Sequence, residues 1–387
     1  MDTSISSSNE QVSKKQRLSP NSEAEEQSNI HVNEHSNTST ASNTSNYVAL
    51  PYAGKHKKSV TSVRIAPTHT NVVASASADK TVQVYRLPQN ITNHPPKNPQ
   101  KNAQKNRLKS SKTLTPDLTL KGHSEGINEI SFTSDSRFLA SASDDKTVRI
   151  WDIQRCSDTA LVELSGHTNF VFTLAFNPSN NLLVTGGFDE KVKMWDPRTG
   201  ACVSTIEAHS EAVTSVSINH DGTCVASSSF DGLVRLWDVG TGSCLRTFYA
   251  EGNPPVSDVN FSPNGRFVLT GTLDDRLRLW NINNVSSSNG GCAKTYKGHN
   301  NSTLCSRSTF ITSDTTNPRV VCGGEDGRVH VYGVNSRKEQ QAFKAHDDAV
   351  LAVDAGGGEG GERLVTGGME NDPCVRFWEP KERAVGN

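Results

Sequence analysis

The chain lacks the segments that would carry a protein into or across a membrane. Its first residues, MDTSISSSNEQ, hold no apolar core of a signal peptide, and no stretch approaches about 18 uninterrupted apolar residues. The formal net charge is only −1 over 387 residues, so there is no general attraction to nucleic acid or to acidic membranes. The sequence therefore predicts a soluble intracellular protein with no membrane contact and no direct sequence-specific binding of nucleic acid.

The chain also lacks the patterns of most enzymes and metal proteins. Eight cysteines are scattered without a C-x-x-C pair, which favours reduced, mostly buried thiols over disulfides or zinc ligands. No His/Cys/Asp cluster has metal-ligand spacing. The glycine run GGGEGG at 356–361 is not followed by the Lys-Ser/Thr of a phosphate-binding loop. We therefore expect a protein that is not an enzyme and that uses neither a cofactor nor a metal.

What the chain does have is one spacing that recurs seven times. An aspartate precedes an aromatic residue by six positions at Asp79/Tyr85, Asp145/Trp151, Asp189/Trp195, Asp231/Trp237, Asp274/Trp280, Asp326/Tyr332 and Asp372/Trp378. The aromatic markers from Trp151 to Trp280 are 42 to 44 residues apart. Within each copy polar and apolar residues alternate at period two, as in FLASASDDKTVRIWDI at 138–153. About four antiparallel strands fit each copy, which predicts an all-β, seven-bladed β-propeller.

Polar segments flank and interrupt this repeat. Residues 1–46 are rich in Ser, Asn, Thr, Gln and Glu and are predicted to form a disordered tail, and 381–387 form a C-terminal tail. Residues 88–114 stretch one marker interval to 66 residues and are interpreted as a basic low-complexity insertion, a loop between blades 1 and 2. The propeller is expected over 47–380. Because an exposed final strand would invite edge pairing, 47–54 should close the ring by completing the last blade.

Histidine, hydroxyl, aspartate and indole recur at fixed offsets and predict a hydrogen-bonded chain within each blade. The three fullest sets are His123, Ser141, Asp145 and Trp151; His167, Thr185, Asp189 and Trp195; and His209, Ser227, Asp231 and Trp237. Such residues also resemble a hydrolase triad, but repeated copies with no distinguished nucleophile favour a structural role. Tyr85, Tyr332, Gly252 and Cys322 interrupt the pattern, so their blades should be less tightly bonded.

The positions that differ between copies indicate where a partner would bind. The first residue of each innermost strand should line the mouth of the central channel, and the residue before each marker aspartate should lie at a hairpin tip on the same face. These positions put Phe172, Phe188 and Phe230 beside Asp144. Aromatic rings and a carboxylate suit an arginine side chain through stacking and cation–π attraction. The alternative, that the phenylalanines only pack against the blade tips, stays open.

Several runs of the sequence resemble known repeats. SASDDKTVRIWD, GHTNFVFTLAFNP and SSSFDGLVRLWD resemble WD40 repeats, over essentially residues 47–380. Together with GNPPVSDVNFSPNGRFVL and TLDDRLRLWN, they resemble more closely the WD-repeat adaptor subunit of histone H3 lysine-4 methyltransferase complexes of the COMPASS or trithorax type. The resemblance implies a non-catalytic nuclear scaffold, with the cytoplasm as a second location, that is a monomer within a multi-subunit complex. It would grip an arginine-containing motif of the methyltransferase or the histone H3 tail.

The resemblance also implies which residues form two binding sites on opposite faces. The arginine pocket would involve Ala78, Gly126, Asn128, Asp144, Phe172, Phe188, Phe230 and Cys305, and the groove for a second core subunit would involve Asn264, Phe267, Leu279 and Phe310. The chain departs from the family at Asn128, where serine is usual, and at Arg307, where animal members have the second phenylalanine of an aromatic sandwich. Arg307 would repel a guanidinium unless an acid neutralises it.

A second function remains open. The residues Trp195, Asp196, Pro197 and Arg198 resemble the W-D-x-R box by which some WD40 proteins dock to the adaptor of a cullin-RING ubiquitin ligase. The chain would then be a substrate receptor of that ligase. A dependence of adaptor binding on Arg198 would separate this function from the chromatin role.

Overall fold

The computed structural model describes residues 47–87, 112–155, 157–283, 291–313, 316–358 and 361–381. The tail predicted at 1–46, most of the insertion at 88–114 and residues 382–387 lie outside the described residues. Within the described ranges every regular element is a β-strand.

The strands follow one another as short segments throughout the chain. In chain order they are β1 (Tyr47–Lys55), β2 (Val60–Ile65), β3 (Val72–Ser77), β4 (Thr81–Arg86), β5 (Lys112–Thr113), β6 (Leu118–Lys121), β7 (Ile127–Phe132), β8 (Phe138–Ser143), β9 (Thr147–Asp152), β10 (Val162–Ser165), β11 (Val171–Phe176), β12 (Leu183–Gly187), β13 (Lys191–Trp195), β14 (Cys202–Glu207), β15 (Val213–Ile218), β16 (Cys224–Ser229), β17 (Leu233–Asp238), β18 (Cys244–Tyr249), β19 (Val256–Phe261), β20 (Phe267–Thr272), β21 (Arg276–Asn281), β22 (Cys292–Lys297), β23 (Ser308–Ile311), β24 (Arg319–Gly323), β25 (Arg328–Gly333), β26 (Glu339–Lys344), β27 (Val350–Gly358), β28 (Gly361–Gly368) and β29 (Cys374–Pro380).

These strands form seven sheets, which we number as blades 1 to 7. Blade 1 contains β2, β3, β4 and β6, blades 2 to 6 each use four consecutive strands from β7 to β26, and blade 7 contains β27, β28, β29 and β1. The predicted all-β, seven-bladed propeller is confirmed.

The marker aspartates stand at the hairpins between the second and third strands of the blades. In six blades the residue after the aspartate has a left-handed φ; these residues are Lys80, Lys146, Glu190, Gly232, Asp275 and Gly327. A tight hairpin needs a positive φ at such a position, so the turn fixes where the aspartate points. At Gly232 a Cβ would lie 2.5 Å from the Asn253 carbonyl oxygen, which excludes larger residues there.

The ring closes where the sequence predicted. Strand β1 pairs antiparallel with β29, with Tyr47 opposite Pro380 and Lys55 opposite Cys374. The insertion at 88–114 does not lie between blades 1 and 2, as the sequence predicted, because the chain places it between β4 and β6 of blade 1. Its interpretation as a loop throughout is also wrong at its end, because Lys112–Thr113 pairs in parallel with β1. This pairing covers backbone groups of β1 that would otherwise form an open edge.

The hydrophobic core lies between the blades. One cluster joins Val60 and Tyr85 of blade 1 to Val365 and Phe377 of blade 7, which closes the last seam of the ring. Six further clusters join the other neighbouring blades. Each blade therefore buries its two faces against its neighbours.

The prediction of mostly buried thiols is wrong. Of the cysteines in the described part of the chain, all are free, but only Cys322 is buried, and Cys202, Cys244 and Cys305 are exposed. Cys202 and Cys244 begin the fourth strands of blades 3 and 4, β14 and β18, which have no further strand beside them in their sheets.

Candidate functional site

The innermost strands bring residues near their starts together at one mouth of the central channel. A cavity of about 210 Å³ is lined by one residue from each blade, namely Thr61, Asn128, Phe172, Thr214, Ser257, Cys305 and Leu351, and also by Phe230 and Arg307. Six of the seven are the second residue of their strand, and Cys305 precedes β23. The cavity is thus built from the positions that differ between blades.

Aromatic side chains form one side of this mouth. Phe172 and Phe230 are half-buried and line the cavity. Phe188 stands on a hairpin tip beside the mouth, as the repeat position predicted; it is 49% exposed and packs edge-on against Phe172 with ring centroids 6.0 Å apart. Phe170, which the sequence reasoning missed, is 41% exposed and lies 6.2 Å from Phe188. We call Phe170, Phe172 and Phe188 the aromatic ridge; it leads from the cavity to the surface.

A carboxylate lies beside the cavity without lining it. Asp144 accepts a hydrogen bond of 2.7 Å from the Asn128 side-chain amide. A Cβ on Gly126 would lie 3.4 Å from the Ala78 Cα and 3.5 Å from an Asp144 carboxylate oxygen, so these three residues share one corner. Burial, and then repulsion from neighbouring carboxylates, raises the pKa of Asp144 although Asn128 opposes the shift. A cation from a partner would therefore be attracted to this corner.

Arg307 crosses the channel beneath the mouth and is neutralised there by two acids. Its Nη1 donates to the Ser215 hydroxyl at 2.9 Å and to Asp258 at 3.0 Å, and its Nη2 donates to Glu129 at 3.0 Å. The Arg307 side chain is only 11% exposed. Burial lowers the pKa of the guanidinium, but Glu129 and Asp258 outweigh burial and raise it. The sequence reasoning missed both acids, although each is a carboxylate within an inner strand, in INEISF and VSDVNF.

The repeated histidines, hydroxyls, aspartates and tryptophans form hydrogen-bonded chains inside the blades. In blade 3, His167 lies 2.9 Å from Asp189 and 2.7 Å from Thr185, to which the Trp195 indole donates at 2.8 Å. The corresponding distances in blades 2 and 4 fall between 2.7 and 2.9 Å, within the sets His123, Ser141, Asp145, Trp151 and His209, Ser227, Asp231, Trp237. Every member lies inside its own blade, so these residues hold the scaffold together.

Blade 5 has no histidine at the repeat position, yet its marker aspartate is not left unpaired. Arg278, whose side chain is 6% exposed, donates to both carboxylate oxygens of Asp274, at 3.0 and 2.5 Å. The expectation of weaker bonding in this blade is therefore wrong at Asp274. In blade 6, His299 instead lies 3.1 Å from the Tyr332 hydroxyl, and Asp326 is 38% exposed.

Comparison with known proteins agrees with this architecture. Residues 52–379 match the family described as the WDR5 beta-propeller domain. The chain belongs to this family. It is also similar to the small ribosomal subunit protein RACK1 of Dictyostelium discoideum, with 30% identity over 100 residues. That similarity covers 26% of this chain and spans only 25% of the relative.

WD40 propellers of this kind are generally non-catalytic scaffolds for protein–protein contacts. In the part of the chain that the structure describes, no three His, Cys, Asp or Glu side chains are grouped to hold a metal ion. The same residues include no helix that is long and apolar enough to span a bilayer.

On the face opposite the mouth, the WDR5-type propeller carries an apolar groove between blades 5 and 6. The residues expected there, Asn264, Phe267, Leu279 and Phe310, all line one cavity of about 400 Å³. The groove lies past the end of β19, whose six residues span about 20 Å from the mouth end. The structure therefore separates the groove from the mouth by the height of a blade.

A second cavity of about 400 Å³ occupies the equivalent position between blades 2 and 3. Phe138, Ile150 and Phe176 form its apolar lining, and Pro197 and Arg198 stand at it. Arg198 is exposed. The box that the sequence singled out thus lies at a cavity, on the same face as the groove.

Proposed function

We propose that this chain is a non-catalytic nuclear adaptor that supports histone H3 lysine-4 methylation. It binds an arginine-containing segment of a methyltransferase subunit or of the histone H3 tail at the channel mouth. On the opposite face it holds a second core subunit of the complex. The observation that carries this proposal is the placement of aromatic rings at one cavity, with Asp144, an acid without a cationic partner among the described residues, beside it.

The chemistry of the mouth favours a planar cation. Phe172 and Phe230 offer ring faces on which a guanidinium can stack, with about 0.5 to 2 kcal/mol from each cation–π contact. Asp144 supplies a negative charge, and within the described residues no ion pair reaches it.

The groove between blades 5 and 6 favours an apolar segment of a second subunit. Phe267, Leu279 and Phe310 line it, and the Lys294 ammonium is turned to the Val334 carbonyl oxygen at 2.7 Å. Burial lowers the pKa of Lys294. An apolar peptide side chain would therefore displace water from this lining without leaving the ammonium unpaired.

Calorimetric titration with an arginine-centred peptide tests the mouth. Phe172→Ala removes the aromatic wall and should weaken binding by about 2 kcal/mol, which is about thirtyfold. Arg198→Ala, on the opposite face, is the control and should leave the affinity unchanged. Absence of measurable binding to the unaltered protein would refute the proposal.

The exposed Arg198 at its cavity supports the ubiquitin-ligase receptor as a second candidate. The same Arg198→Ala protein separates the two functions in a pull-down with the ligase adaptor. If the unaltered chain captures the adaptor and Arg198→Ala does not, the receptor function is favoured. Capture of methyltransferase core subunits that is insensitive to Arg198→Ala favours the chromatin adaptor.

A further inference from the structure

The channel below the mouth already contains a guanidinium, which belongs to Arg307. It is bonded from three other blades: Ser215 is in blade 4, Asp258 in blade 5 and Glu129 in blade 2. The side chains of Asp258 and Glu129 are 1% and 3% exposed. A buried pair of carboxylates is stable only with a cation and hydrogen bonds in place.

The two carboxylates are held by contacts that do not involve Arg307. Asp258 accepts from the Ser308 backbone N–H at 2.8 Å, the Ser308 hydroxyl at 2.9 Å and the Asn260 amide at 2.8 Å. Glu129 accepts from Arg64 at 2.5 Å and from the Leu174 N–H at 3.3 Å. Their positions are thus fixed independently of the guanidinium between them, which is the condition for a preformed binding site.

We propose that Glu129, Asp258 and Ser215 form a guanidinium-binding site that Arg307 occupies from within the same chain. Arg307 thereby keeps a partner's arginine in the outer part of the mouth and sets the depth and strength of its binding. This inference rests on the proposed function only for the identity of the partner group. The site itself is defined by the chain's own residues.

The loop that precedes Arg307 is also held in place. The backbone N–H groups of Ser302, Thr303 and Leu304 donate to one Glu325 oxygen at 2.8, 2.6 and 2.8 Å. Glu325 is partly buried, but these bonds lower its pKa, so it stays ionised. The loop that delivers Arg307 is therefore tied to the neighbouring hairpin. An incoming arginine would meet a like charge whose two acids are already paired, so Coulomb repulsion opposes deep entry.

Removal of the arginine side chain tests the site. Arg307→Ala should leave the site empty, so that millimolar ethylguanidinium raises the melting temperature of the variant but not that of the unaltered protein. Ethylammonium at the same concentration, which carries the charge without the planar fork, should have little effect. Arg328→Ala, which removes an exposed arginine from the same blade, is the matched control and should not respond.

The arginine-centred peptide supplies the second readout. Loss of the internal competitor should strengthen its binding to Arg307→Ala by about tenfold. Arg307→Lys retains a charge but cannot donate to both acids from two nitrogens, so it should bind the peptide more tightly than the unaltered protein does. This readout remains even if Arg307→Ala fails to fold.

The outcomes separate this inference from the proposed function. Ethylguanidinium stabilisation of Arg307→Ala supports the site even if the peptide never binds, which would refute only the proposed function. If Arg307→Ala folds but shows no response to ethylguanidinium, the inference is wrong. It is also wrong if Arg307→Ala does not fold and Arg307→Lys binds the peptide with unchanged affinity.

Discussion

At the scale of single residues, blade 5 shows that one contact can replace another in the same role. A histidine bonds the marker aspartate in blades 2, 3 and 4, whereas Arg278 pairs with Asp274 through two nitrogens. The replacement comes from the same strand hairpin, four positions after the aspartate. The missing histidine was visible in the sequence. Its substitute was not, because arginines at such positions usually point to solvent.

Arg278→Ala should destabilise the protein by about 2 kcal/mol, because it leaves the Asp274 carboxylate without its bidentate partner. Arg276→Ala is the matched control, since its guanidinium lies 3.7 Å from the same aspartate and is 43% exposed. That exposed pair should contribute less than about 1 kcal/mol. Urea denaturation of both variants checks the difference, and equal losses would contradict the role of Arg278.

At the scale of elements, β1 joins the beginning of the described chain to its end. Besides its pairing with β29, its first residue Tyr47 donates from its hydroxyl to Glu362 and accepts from Arg319 of blade 6 at 3.2 Å. The sequence predicted this closure, because 47–54 can form a strand and an exposed final strand would otherwise invite edge pairing. It could not predict β5, because two residues carry no periodic pattern and their pairing with β1 depends on a strand about 60 positions away.

Deletion of residues 1–54 should lower the melting temperature strongly, because β29 loses its partner and the blade 7 sheet is left open. Deletion of 1–44 is the control, and it should leave the melting temperature unchanged because β1 is intact. Circular dichroism during heating measures both. If the protein that lacks residues 1–54 melts at the same temperature as the unaltered protein, the closure contributes little to stability.

At the scale of the whole molecule, the ring repeats similar blades, so the marker aspartates occupy similar surroundings and contribute to stability in the same pH range. Burial opposes ionisation of the marker aspartates, but hydrogen bonds and charges from their partners lower the pKa of Asp79, Asp145, Asp189, Asp231, Asp274 and Asp372. A group with a lowered folded pKa contributes stability above its unfolded pKa and loses that contribution as the pH falls toward the folded value.

The free energy of unfolding should therefore decrease steeply as the pH falls below about 4, the ordinary pKa of an aspartate. Asp189→Asn removes one of the six groups and should be less stable at pH 7, with a shallower loss of stability in acid. Urea midpoints measured across this range test the expectation. An identical slope for the variant and the unaltered protein would show that Asp189 takes no part in it.

The sequence by itself determined the repeat, the number of blades and the closure of the ring. These depend on hairpin turns and on alternating burial, which are set by neighbours in the chain. Only the tertiary structure decided what fills the channel. Arg307 and Glu129 are 178 positions apart, and they meet because all seven inner strands converge on one axis. Where side chains from distant blades share one space, their partners depend on the closed ring, and no local spacing records them.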